Sequence, residues 1–128
     1  MLLKIRLMNK LVKTVKRADI IYEFLKSLNG ILGVTDRELE LLSKFVELDM
    51  NHNSALGYKN VASTDNRKMI RRELGITPDN LSRYISKFKD KGLLVHGKAD
   101  DELYVNKILI PEIVKDRVQL TIIIKTNE

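Results

Sequence analysis

Asn80 and Arg83 stand three residues apart, and each can make two hydrogen bonds to the edge of one base, Asn to adenine and Arg to guanine. Ser82, Ser86 and Lys87 surround them as flanking contacts. Arg67, Lys68, Arg71 and Arg72 lie just upstream, where they can hold phosphates and fix register without reading sequence. Tyr84 can reach a sugar or phosphate, or pack between helices. This chemistry is recognition rather than turnover, because the sequence offers no phosphate-binding glycine loop, metal-ligand cluster or nucleophile–base set. No enzyme activity, cofactor or metal is expected. His52, in a polar loop, and His96, at a strand end, read as surface or turn residues. The carboxylates of DRELELL at 36–42 suit a helix N-terminus, where they complement the dipole.

The elements that must position these groups are marked at each joint. Thr64 or Asp65 can cap a first helix whose apolar Met69, Ile70 and Leu74 fall at helical spacing before Gly75 supplies a left-handed stop. Ile76 plugs the corner, Thr77 caps a second helix, and Pro78 takes its first position, where a missing N–H costs nothing. Leu81, Ile85 and Phe88 then form one buried stripe, and Gly92 ends the helix. Asn80, Arg83, Lys87 and Lys91 occupy the opposite face. The spacing predicts a helix, a three-residue turn and a second helix over 66–92.

The run LGITPDNLSRYISKFKDKGLLV resembles the turn, recognition helix and first wing strand of winged helix-turn-helix proteins such as the multiple-antibiotic-resistance regulators. Leu74, Gly75, Ile76, Leu81 and Ile85 match the positions that set the corner. Arg71 departs from the pattern, standing where the family usually has a small residue. The resemblance covers roughly residues 61–110, with the helix at 35–48 in addition. It implies a mainly α fold with a small β component, and a helix at 78–91 that enters the major groove of double-stranded DNA. A winged helix can also serve protein contacts.

Charge distribution agrees with a basic recognition unit. The chain of 128 residues carries a net +6, and the excess sits in two blocks: residues 1–17 at +6 and residues 67–91 at +5, separated by 18–66 at −4 and followed by 92–128 at −1. For any single lysine or arginine, solvation of an exposed face is the simpler explanation. The length suits one domain, with a basic strand-like arm at 1–15, a helical front plus helix-turn-helix at 16–110 and an extension at 111–128. The chain has no cysteine, which excludes disulfides and thiolate zinc sites and points to a cytoplasmic setting. MLLKIRLM is interrupted by Lys4 and Arg6, and no apolar run reaches membrane-span length, so no membrane partner or processing is expected.

LLKIRL alternates as a short strand. Ile20, Ile21, Phe24, Leu25 and Leu28 give a helix over about 16–28 that Asn29-Gly30 stops. Thr35 with Glu38 is a capping box for a helix to about Asp49 with Leu39, Leu42, Phe45 and Val46 as its stripe. Residues 50–63 read as a polar loop. Leu93 to His96 and Leu103 to Val105 read as a hairpin joined by GKADDE, with Gly97 available for an unusual backbone conformation and three carboxylates that would repel phosphate. Ile108 to Ile110 stops at Pro111. VQLTIIIK at 118–125 alternates as a further strand, so strand-like sequence lies at both ends.

RELELLSKFVELD, the helix pair and the late NKILIPE together also look similar to small proteins encoded by tailed bacteriophages. That resemblance implies a regulator or a virion component, such as a connector or ring subunit. The leading expectation is a DNA-binding regulator of transcription or replication. The alternative is a structural or assembly protein that self-associates, as a dimer or a ring, through its terminal strands.

Overall fold

The computed structural model describes residues 10–52, 59–99 and 101–128. Four helices and a two-stranded antiparallel hairpin follow one another along the described chain: α1 at Ile20–Leu32, α2 at Asp36–Met50, α3 at Thr64–Leu74, α4 at Pro78–Asp90, β1 at Leu94–His96 and β2 at Leu103–Val105. A 3-10 turn at Arg17–Asp19 leads into α1, and another at Lys107–Leu109 follows β2. The fold is mainly α with a small β component, as expected.

α2 is the hub. Its Leu39, Leu41, Leu42, Phe45 and Val46 are buried, and they meet Leu25 of α1 on one side and Ile70, Leu81, Ile85 and Phe88 of α3 and α4 on the other. Phe45 and Phe88 meet edge to face, with ring centroids 6.3 Å apart and planes at 88°, a geometry that places the positive ring edge against the negative face. Each helix supplies one apolar stripe to this centre, so the outer faces are left to charged side chains.

Local signals set most boundaries. Thr35 accepts a hydrogen bond from the Glu38 N–H at 3.2 Å while Glu38 Oε1 accepts from the Thr35 N–H at 2.8 Å, completing the capping box. Gly75 takes φ 64°, a left-handed conformation that would strain most other residues by about 1–2 kcal/mol. The Thr77 hydroxyl accepts from the Asn80 N–H at 3.2 Å, with Pro78 opening α4.

Other expectations are corrected. Ser63, rather than Thr64 or Asp65, caps α3, its hydroxyl accepting from the Asn66 N–H. α1 runs through Asn29 and Gly30 to a left-handed Gly33, because the Asn29 side chain bonds forward to the N–H and C=O of Val34 at 2.9 Å each instead of breaking the helix. Within the supposed polar loop, Val61 and Ala62 are buried in the core, and the Val61 N–H donates to the Leu103 carbonyl at 3.0 Å, tying the entrance of α3 to the outer edge of β2.

The C-terminal strand expected at 118–125 does not form within the chain. Residues 118–128 have no strand assignment and no backbone hydrogen bond to any described residue. A strand needs a neighbour's N–H and C=O groups, and residues 118–128 meet none among the described residues. The strand expected in LLKIRL lies outside the described residues. No helix among the described residues is long and apolar enough to cross a membrane.

Candidate nucleic-acid interface

The buried stripe of α4 fixes which side chains it can present. Arg83 and Ser86 point away from Leu81, Ile85 and Phe88 and are exposed, as are Asn80 and Ser82 on the two flanks. On α3, Lys68 and Arg72 are exposed, whereas Arg67 and Arg71 are half-buried. Arg67 Nε donates to the Ala62 carbonyl at 2.8 Å, which holds its guanidinium against the segment entering α3. A groove of about 320 Å³ brings together Arg67, Arg71, Ser82, Pro78 and Asp101. Two of the four α3 cations therefore share a concavity with the first turn of α4, and Lys68 and Arg72 do not line it.

Lys87 has a structural partner. Its Nζ lies 2.7 Å from Glu38 Oε2, and Glu38 is only 2% exposed. Lys91 likewise turns toward the front helices, donating to the carbonyl of Gly33 at the end of α1 at 3.1 Å. The face assigned from spacing to Asn80, Arg83, Lys87 and Lys91 thus divides: Lys87 and Lys91 clamp α4 onto the front helices, while Arg83 stays outward. Burial pushes the Glu38 carboxyl up, but the hydrogen bonds from Lys87 and Thr35 outweigh it and hold the group below its ordinary value.

The hairpin is seated by a second buried carboxylate. Asp49, at the end of α2, accepts from the Val105 N–H through Oδ2 at 3.0 Å and from Lys59 Nζ through Oδ1 at 2.8 Å. Lys59 also lies over the Tyr104 ring, 5.4 Å from its centroid. Together with the Val61 bond, Asp49 closes the outer edge of β2.

The hairpin turn is less acidic toward solvent than its sequence implies. Glu102 folds inward and is 7% exposed, its Oε2 accepting from the Tyr104 hydroxyl at 2.6 Å and the Lys98 N–H at 3.2 Å. The hydrogen bond to Glu102, with smaller contributions from burial and nearby carboxylates, raises the Tyr104 phenol above its ordinary value. Gly97 is required here for space, not for the unusual backbone conformation expected of it. Its φ is not positive, but a Cβ would come within 2.9 Å of both Glu102 Cβ and Tyr104 Cζ.

Sequence reasoning missed Asp49, the second role of Glu38 and the inward turn of Glu102. The capping box gave Glu38 one partner and no hint of Lys87, which is distant in sequence. Among the described residues no group of three or more His, Cys, Asp or Glu is placed to hold a metal ion. Comparison with protein-family models, with curated proteins and with solved structures found no match.

Proposed function

We propose that this chain is a winged-helix DNA-binding protein, a regulator of transcription or replication that reads the major groove with α4. The observation that carries the reading is the outward presentation of Arg83 and Ser86 on a helix whose opposite stripe is fully buried, beside the basic α3. A helix held in this way can enter a groove about 12 Å wide with its outer side chains toward base edges. Asn80 and Arg83 would read bases, Ser82 and Ser86 would flank them, and Arg67, Lys68, Arg71 and Arg72 would hold phosphates. The β1–β2 hairpin would serve as the wing, and the inward Glu102 removes one carboxylate from the surface that would face DNA. Lys87, satisfied by Glu38, would contribute mainly to holding α4 in place.

Selection of bound sequences from a random duplex pool tests this reading. An enriched motif that disappears with Arg83→Ala is the expected result, and failure to enrich any motif would overturn base reading by α4.

The exposed apolar run at 120–124 favours a second reading, an assembly subunit, such as a virion connector or ring component, that uses the same body for protein contacts. Light scattering separates the two: a dimer suits a palindrome reader, and a ring-sized oligomer suits an assembly role.

A further inference from the structure

We propose that residues 118–124 act as an intermolecular β-strand, adding to the open edge of β1 in a second copy of this chain. The unpaired strand is visible first. Pro111 is still buried, and a tight turn closed by a Val114–Arg117 bridge follows it. Beyond that turn the run VQLTIIIK is rich in β-branched residues, yet its backbone bonds to no other described residue. Ile123 is 75% and Ile124 91% exposed, with Leu120 and Ile122 also exposed. Such a run has strand chemistry without a partner among the described residues.

The matching edge lies on the same chain. Residues 93 with 106, 95 with 104 and 97 with 102 face each other across the hairpin, so the N–H and C=O groups of Leu94 and His96 point away from β2. No described residue bonds to them. On the other side of the sheet, the Leu103 carbonyl already accepts from the Val61 N–H and the Val105 N–H already donates to Asp49. Among the described residues, β1 therefore offers the more open edge of the sheet.

Arg117 and Lys125 bracket the apolar run. The contact joins different surfaces of the two copies, so it either closes reciprocally into a dimer or propagates. It does not rest on DNA binding and survives if that reading fails.

Two full-length variants test the exchange by complementation. Ile122→Pro disables the strand, and His96→Pro removes an outward N–H from the edge while leaving the 95–104 pair intact. Light scattering should show the wild type associating, each variant alone monomeric with an unchanged helical circular-dichroism spectrum, and their equimolar mixture forming a two-chain complex. A monomeric wild type, continued association of either variant, or a mixture that stays monomeric would overturn the proposal. If His96→Pro disturbs the hairpin, hydrogen exchange on the wild type decides: the Leu94 and His96 amides should be protected at associating concentration and exposed on dilution. Equal exchange at both concentrations would count against it.

Discussion

Lys87 Nζ of α4 stands 2.7 Å from Glu38 Oε2 of α2, so one buried carboxylate caps the N-terminus of α2 through one oxygen and anchors the outer helix through the other. A cation that spacing places among the groove-facing residues thus also serves the scaffold. Truncating Lys87 to Met leaves the Glu38 oxygen without its cation, at a cost of about 1–3 kcal/mol. Chemical denaturation should show that loss, while the salt dependence of DNA binding should change little.

The same pair sets a pH dependence. Glu38 titrates below its ordinary 4.5 in the folded chain, so its contribution is complete above that value and is lost as the pH falls through the depressed folded value. The stability difference between wild type and Glu38→Gln should therefore be largest above pH 4.5 and shrink below it. Denaturant midpoints across pH 3–7 check this, and a constant difference would argue against the pairing.

Asp49→Ala should destabilise the hairpin by about 1–3 kcal/mol, because the Val105 N–H then loses its buried acceptor. Amide exchange at Val105 should accelerate more than exchange in α1, which is remote from the lost bond.

Gly97→Ala should disrupt the hairpin turn, since the added methyl meets the Glu102 side chain and the Tyr104 ring. Its signature is loss of the Tyr104–Glu102 hydrogen bond, read as a fall of the tyrosine titration toward its ordinary value.

The helix pair was legible because its signals are local: a cap, a proline, a corner glycine and a stripe at helical spacing act within a few residues. The capping box of α2 was equally plain. What escaped were interactions between residues far apart in sequence. Nothing near Val61 announces that its N–H meets Leu103, and nothing near Lys87 announces Glu38. The strand expected at 118–125 failed for a related reason, since alternation states a capacity for pairing and cannot supply the partner. In the candidate interface, residue types were readable, but the division of α4 into an outward Arg83 and a clamped Lys87 depends on where α2 packs.

Among the cations of the candidate interface, Arg83 and Arg72 should behave differently. Arg83→Ala should cost about 1–3 kcal/mol on the preferred sequence and relax the preference at one base. Arg72→Ala should weaken binding to all duplexes alike and reduce the salt slope by about 1. Parallel titrations on preferred and scrambled duplexes distinguish the two patterns.

The most direct measurement is an anisotropy titration of a labelled duplex with the wild-type chain across a series of salt concentrations. If Arg67, Lys68, Arg71 and Arg72 each neutralise a phosphate, the logarithm of affinity should fall against the logarithm of salt with a slope of about −3 to −4, roughly −0.9 per contact. Absence of binding at low salt, or binding whose affinity does not respond to salt, would contradict a nucleic-acid role for α3 and α4.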